Sequence, residues 1–333
     1  MAFWNKKSGS DAKRTRIFYA TDVHGSERTF RKFINGAKFY KVDHVVMGGD
    51  IMGKFLVPIV DEGGGHYRVT LQEDLQTLNG PDELKAMKDR IETLGFYHVT
   101  VSEDEIHAMQ DEKSRVDETF RRLARERLET WVAMAEERLA GTDIKWYVTG
   151  GNDDPPELLT VLEEAQGEHV VNCEGRVVML DDYFPMANCG YSNPTPWDTP
   201  RETDEVQLEA YLEESVKGLE DYESAIFNFH VPPYDSTLDE CPKLDWSTDP
   251  PSPIVVGGVA QSAPAGSTAV RNVVEKHQPL LMLTGHIHEA RGLVKLGRTT
   301  VVNPGSEYGE GVLRGCILSL EPGKVVGYQM TSG

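Results

Sequence analysis

Cysteine is scarce in this chain, and the few present do not group. Cys173, Cys189, Cys241 and Cys316 lie far apart in 333 residues, with no Cys-x-x-Cys unit among them. That spacing excludes zinc-finger sites and a disulfide framework; reduced, buried thiols in a cytoplasmic protein are expected instead. Long apolar runs are missing too. No stretch reaches the roughly 18 apolar residues of a membrane-spanning helix, so no membrane partner is expected. The basic N-terminus is not followed by the apolar segment of a signal peptide, and residues 1–14 read as a mobile tail. Positive charge is in short supply as well: 34 Lys and Arg face 54 Asp and Glu, a formal net charge of −20. Affinity for nucleic acid comes from cations that displace counterions, so a nucleic-acid partner is not expected. An acidic chain can still act on small phosphates when bound metal ions set the charge of its cleft.

What remains is an ordinary globular composition, 39% hydrophobic and 26% charged, in a chain long enough for a well-buried core. The opening reads as strand, loop, helix, strand and loop. Residues 15–21 are apolar and end at Asp22. Residues 27–39 carry Phe30, Phe33, Ile34 and Ala37 at helical spacing, and 43–47 run into Gly48-Gly49-Asp50. Further strands are expected at 144–149, 176–180, 183–187, 225–229 and 280–284, and helices at 205–219 and 267–277. A β-meander is expected over 293–296, 299–302, 312–320 and 324–330. Residues 231–266, rich in Pro, Gly, Ser and Asp, read as an irregular loop bordering a site.

Between 55 and 141 the texture changes. One short strand is expected at 67–71 and a helix at 81–94. Ser102 with Glu105 has the capping-box pattern, and Ser114 with Asp117 reads as a second helix start. The long helix that follows carries Val116, Phe120, Leu123, Leu128, Trp131, Ala135 and Leu139 as its apolar stripe, with Gly141 as its stop. This segment is expected to be a mainly helical insertion, a cap or a dimer surface, in a domain spanning 15–333. A homo-oligomer formed through it is the expected assembly.

Five fragments carry the chemistry: Asp22-Val23-His24, Gly48-Gly49-Asp50, Gly150-Gly151-Asn152-Asp153, His230 and Gly285-His286-Ile287-His288. Taken singly, each also reads as a turn, a cap or a hydrogen-bonded core residue. Together they offer seven oxygen and nitrogen ligands, Asp22, His24, Asp50, Asn152, His230, His286 and His288, each just after an expected strand. In α/β sheets, sites gather at the carboxyl ends of strands. Two imidazoles as close as His286 and His288 are costly when both are protonated, and a metal site explains them. The other six histidines, His44, His66, His98, His107, His169 and His277, lack this setting and read as structural or surface residues.

In their order and strand context these fragments resemble the calcineurin-like metallophosphoesterases over about residues 15–305. The segments around His230, after Gly285, and at Asn303-Pro304-Gly305-Ser306 are similar to an Icc-related bacterial and archaeal subgroup of that family. The resemblance implies an α/β fold, a four-layered α-β-β-α sandwich of two mixed sheets, with two metal ions at the strand ends. Asp22, His24, Asp50 and His288 would hold the first metal, Asp50 would bridge, and Asn152, His230 and His286 would complete the second. Hard ligands without thiolate favour Mn, Fe or Zn. In one position the chain departs from the family, which has His after the Gly-Asn; here it is Asp153. A carboxylate beside two cations should have a lowered pKa, which makes Asp153 a poor general acid. That points to diesters with good leaving groups.

The expected activity is hydrolysis of a small or nucleotide-like phosphoester, most simply by a phosphodiesterase using a metal-bridging hydroxide. Asn152 would stabilise charge on the phosphoryl oxygens. Two rival readings are a metal-binding scaffold on the same fold and a nuclease, the latter opposed by the net charge. The loop from Gly190 to Trp197, with Tyr191 and Trp197 at its ends, and Tyr234 read as surface features that could contact a base or sugar.

Overall fold

Strand Thr15–Ala20 is apolar from Ile17 onwards, where both of its faces are covered. Side chains alternate across a strand, so Ile17 and Tyr19 enter one core while Phe18 and Ala20 enter another. The same division recurs in His44–Met47, where Val46 parts from Val45 and Met47, and in Lys145–Val148, where Tyr147 parts from Trp146 and Val148. A computed structural model is the source of this description, which covers residues 14–165, 167–245, 247–248 and 251–333. Apart from Arg14, the expected N-terminal tail lies outside the described residues.

Two six-stranded mixed sheets form the body of the protein. The first runs in the order Lys324–Ser332, Arg314–Glu321, Thr15–Ala20, His44–Met47, Lys145–Val148, Val170–Asn172. Its last four strands are parallel, with Tyr19 opposite Val46 and Val46 opposite Tyr147. The second runs Gly292–Leu296, Thr299–Asn303, Leu281–Leu283, Ile226–Phe229, Pro185–Cys189, Val177–Met179, with its four inner strands parallel. Ile17, Tyr19, Val46 and Leu318 of the first sheet share a core with Met186, Ile226, Leu281 and Val302 of the second. The opposite face of the first sheet packs on helices Glu27–Phe39, Lys113–Leu139 and Pro156–Glu164. The opposite face of the second packs on Glu205–Ser215 and Thr268–His277. The mixed α/β architecture expected from the sequence is therefore present, with seven α-helices among the described residues. None of them is long and apolar enough to cross a membrane.

The segment 55–141 carries more than the helices and the one strand expected of it. It holds helices Gly80–Thr93 and Glu103–Asp111, but also a four-stranded sheet in the order Asp74–Asn79, His66–Leu71, Leu56–Gly63, Tyr97–Val101. Only one of these strands was expected. The others escape a sequence reading because their outward positions are polar or bent: Pro58, Asp61, Glu62 and Gly63 in one, and Asp74, Gln76 and Asn79 in another. Val57, Ile59, Val69, Leu71, Leu78, Met87 and Ile91 give this sheet a core of its own. The long helix Lys113–Leu139 packs elsewhere. Its Leu128, Trp131, Ala135 and Leu139 join the core over the first sheet, with Trp131 stacked on Phe30 at 4.1 Å between ring centroids.

Helix starts divide the same way. Ser102 and Glu105 make the expected capping box. The start expected at Ser114 is not used: that helix begins at Lys113 after Glu112, with no side-chain cap. Ser267 caps its helix as expected, accepting from the Val270 N–H. The loop 231–266 is less irregular than expected. It contains three short antiparallel strand pairs, such as Glu240–Pro242 with Ser262–Pro264.

Candidate metal centre

All five sequence fragments follow parallel strands and converge. Asp22, Asp50 and Asn152 follow three neighbouring strands of the first sheet; His230 and His286 follow two neighbouring strands of the second. Backbone bonds beyond the strand ends lock the loops together. The Asp22 N–H donates to Gly49 O and the His24 N–H to Asp50 O; across the second sheet, Gly285 N–H donates to His230 O.

Four of the converging residues have left-handed backbone: Asp22 (φ 53°), His24 (φ 40°), Asp50 (φ 50°) and His286 (φ 65°). That region is costly for residues with a Cβ and, outside turns, is kept mainly where function requires it. Glycine supplies the room. A Cβ on Gly151 would stand 2.1 Å from Asp50 Oδ1, and one on Gly49 would stand 2.6 Å from His230 Nδ1.

The side chains form two adjoining clusters, Asp22 with His24 and His288, and Asp50 with His230 and His286, with potential ligand atoms within 4.8 Å of one another in each. His24 Nε2 lies 3.1 Å from His288 Nε2, and His288 Nε2 lies 3.4 Å from Asp22 Oδ1. Asp50 Oδ2 stands between the clusters, 3.3 Å from His230 Nε2 and 3.6 Å from His24 Nε2. Asn152 Oδ1 lies 2.8 Å from His286 Nδ1. Every residue expected at the site is thus brought together, and among the described residues none of the other six histidines joins them. Those histidines meet the Ile144 carbonyl (His169), Glu213 (His277), Glu92 (His98), Glu103 (His107) and Asn79 (His66), while His44 packs on Tyr147.

The chemistry of this donor set fits metal ions. Asp22, His24, Asp50 and His230 are all buried, and His230 Nε2 has no hydrogen-bond partner. A buried polar atom without a partner is costly unless something else engages it. The electrostatics point the same way. Burial would raise the Asp22 carboxyl, but His288 and the charge of His230 hold it down at about 2. Burial would lower His230, yet Asp50 and Asp22 push it up to about 10. His286 is driven down to about 4 by burial and by the charge of His230. One imidazolium therefore stands where cations are favoured, and its neighbour is kept neutral.

A surrounding layer, mostly missed in the sequence, orients these groups. His230 Nδ1 lies 2.9 Å from Gly48 O, which aims Nε2 at the carboxylates. Asn152 Nδ2 donates to Thr199 Oγ1, and that hydroxyl donates to Glu202, so the Asn152 oxygen faces the cluster. Glu174 accepts from Gly150 N–H and pairs with buried Arg201, which lies over the Tyr191 ring. Asp154 accepts from the N–H groups of Ile51, Met52 and Gly151, tying the Asp50 loop to the Asn152 loop. Asn303 donates to Gly285 O and Ile287 O, and Ser306 Oγ donates to Asp22 O. Tyr308 packs on His24 at 4.6 Å.

Asp153 lies at the edge of the site, with Oδ2 3.6 Å from His24 Nδ1 and 2.6 Å from Lys54 Nζ. Burial and the Asp50 charge push its carboxyl up to about 6 despite Lys54. Lys54 gave no signal in the sequence, being a lone lysine four positions after Asp50. Of the aromatic residues singled out, Tyr191 packs against Arg201 and Tyr211, whereas Trp197 and Tyr234 are exposed.

No protein-family model matches the chain. An uncharacterized protein of Methanocaldococcus jannaschii is 28% identical over 156 residues, 46% of this chain. The match spans 61% of that protein's length. A solved structure resembles the chain at TM-score 0.57 and 15% identity, covering 96% of this chain and 98% of that one. A Thermus thermophilus protein, TT1561, does so at TM-score 0.52 and 15% identity, with the same coverage. At this identity the likeness concerns the fold.

Proposed function

We propose that the chain is a dinuclear metal-dependent phosphoester hydrolase, a phosphodiesterase acting on a small or nucleotide-like substrate. One observation carries the reading: two adjoining ligand clusters meet at Asp50, at the strand ends of two facing sheets. Cations held by Asp22, His24, Asp50 and His288 and by Asp50, Asn152, His230 and His286 would neutralise phosphoryl oxygens and lower the pKa of bound water towards about 7. Mn, Fe and Zn all suit these oxygen and nitrogen donors. In this reading the packing of helices, two sheets and helices is the four-layered α-β-β-α sandwich of the calcineurin-like metallophosphoesterases.

The chain's own residues supply orientation. The Asp153 N–H donates to Asp50 Oδ1, which leaves Oδ2 facing both clusters. The Asn152 amide, fixed by Thr199, turns its oxygen towards His286, where it would be available to a metal. Asp153, salt-bridged to Lys54, is a poor proton donor once cations lie beside it. That favours esters whose leaving group departs without help, and so a diester. A cavity of about 580 Å³, lined by His288, Ser306 and Tyr308 with two arginines (Arg291, Arg314) and three glutamates (Glu289, Glu307, Glu310), adjoins the cluster. Its size suits a nucleotide-like group. Residence in the cytoplasm and self-association through residues 55–141 belong to the same proposal.

Turnover of bis(p-nitrophenyl) phosphate and p-nitrophenyl phosphate under added Mn, Fe(II) or Zn tests the reading. Metal-dependent cleavage with the diester preferred is expected. Bound metal without turnover of either ester would favour a scaffold, and salt-dependent binding of DNA would favour a nuclease.

A further inference from the structure

Lys54 stands at the rim of the cluster, on the segment that leaves Asp50 and enters the strand Leu56–Gly63. The segment is fixed: Gly53 N–H donates to the Tyr97 hydroxyl, and a Cβ on Gly53 would stand 2.1 Å from Gly95 O. The Lys54 side chain is 37% exposed, and Asp153 holds its ammonium at 2.6 Å. Asp153 in turn lies 3.6 Å from His24 and takes part in a potential ligand group with His24 and Asp50. Among the described residues, no other lysine or arginine is ion-paired to a residue of the cluster. Arg201 is engaged by Glu174, Arg314 by Glu307 and Arg127 by Glu92.

A half-exposed ion pair contributes little to stability. A fixed cation beside a site for phosphate matters more, because an ammonium is a point charge with three donors suited to phosphoryl oxygens. In a chain with net charge −20, it also supplies local attraction for an anion. Resting on the phosphoester reading, we propose that Lys54 is a substrate-binding residue whose ammonium, positioned by Asp153, contacts a phosphoryl oxygen of the diester and of the phosphate monoester released from it.

The test uses the full chain loaded with Mn, as wild type, Lys54→Met and Lys54→Arg. Metal content, melting temperature, calorimetric binding of inorganic phosphate and steady-state cleavage of bis(p-nitrophenyl) phosphate are measured on each. The expected result is unchanged metal content and a nearly unchanged melting temperature in Lys54→Met. Phosphate affinity and kcat/KM should each fall about 10- to 100-fold, the range for losing a hydrogen bond to a charged group, with Lys54→Arg recovering part of both. A wild type that hydrolyses the ester beside a Lys54→Met that binds phosphate and turns over within about twofold of it would overturn the role of Lys54 and leave the phosphoester reading standing. Loss of metal from Lys54→Met would overturn it as well, because Lys54 would then be supporting the cluster. A loaded wild type that neither binds phosphate nor cleaves the ester would overturn both. Phosphate binding that depends on Lys54, without cleavage, would support Lys54 as an anion site and remove the hydrolase reading alone.

Discussion

Asp50 Oδ2 lies 3.3 Å from His230 Nε2, although Asp50 follows a strand of one six-stranded sheet and His230 a strand of the other. A cation held there by Asp50 and His230 would tie the two sheets together. Metal bound to the folded state alone stabilises it by ~4 kcal/mol at a thousand times its Kd. Scanning calorimetry with and without chelator should therefore show the melting temperature falling by several degrees when metal is removed. Asp50→Ala should show a smaller response. Equal melting temperatures for loaded and stripped wild type would contradict this link between the site and the packing of the sheets.

Gly151→Ala should damage the site from the backbone side. The new Cβ would stand 2.1 Å from Asp50 Oδ1 and 2.4 Å from Asp50 N. Overpacking of this kind costs about 1–3 kcal/mol, and the shift it forces moves the carboxylate that faces both clusters. Denaturant unfolding and metal content should both register it. Gly327→Ala has open space around it and is the control, expected to stay within about 0.5 kcal/mol of wild type.

Thr199→Val removes the hydroxyl that fixes the Asn152 amide and leaves the volume nearly unchanged. Partners that orient a ligand are typically worth 10- to 100-fold in metal affinity. Titration calorimetry with Mn should show a loss of about that size for one of two binding events. Unchanged affinity for both events would mean that the Asn152 orientation does not depend on Thr199.

Metal binding should release protons. His230 sits at about 10 in the metal-free protein, against an ordinary 6.5, so it is charged near neutral pH. A ligating imidazole must be neutral, and that proton has to leave. Calorimetry near pH 8 in two buffers of different ionisation enthalpy should report at least about one proton released per chain. Because the folded-state pKa is raised, the His230 contribution to the metal-free fold is fully present below about 6.5 and is lost as pH rises through about 10. Metal-free protein should therefore lose stability across that window, while metal affinity rises. No proton release would show that His230 is already neutral or does not bind.

The site was legible to the extent that its strands were. Asp22, Asp50, Asn152, His230 and His286 each follow a strand whose core residues are covered on both faces, and such strands read as largely apolar runs. Lys54 was not legible, because a lone lysine gains meaning only when Asp153, 99 positions away, comes within 2.6 Å. Thr199 and Tyr308 escaped for the same reason: their partners are set by tertiary packing. The sheet in the 55–141 segment was missed because Asp74–Asn79 has a single buried residue, Leu78, and an exposed Leu75. A half-polar edge strand of that kind gives a weak alternating pattern. The helix starts at Ser102 and Ser114 look alike in sequence; only the first closes its box, with Glu105 reaching back to the Ser102 N–H.

The most direct test is metal stoichiometry by elemental analysis after reconstitution with Mn, run on wild type and Asp50→Ala beside bis(p-nitrophenyl) phosphate hydrolysis. Two metal ions per wild-type chain are expected, falling to one or fewer in Asp50→Ala with hydrolysis lost. Wild-type protein that takes up no metal, or an Asp50→Ala variant with full metal content and undiminished turnover, would contradict the dinuclear centre.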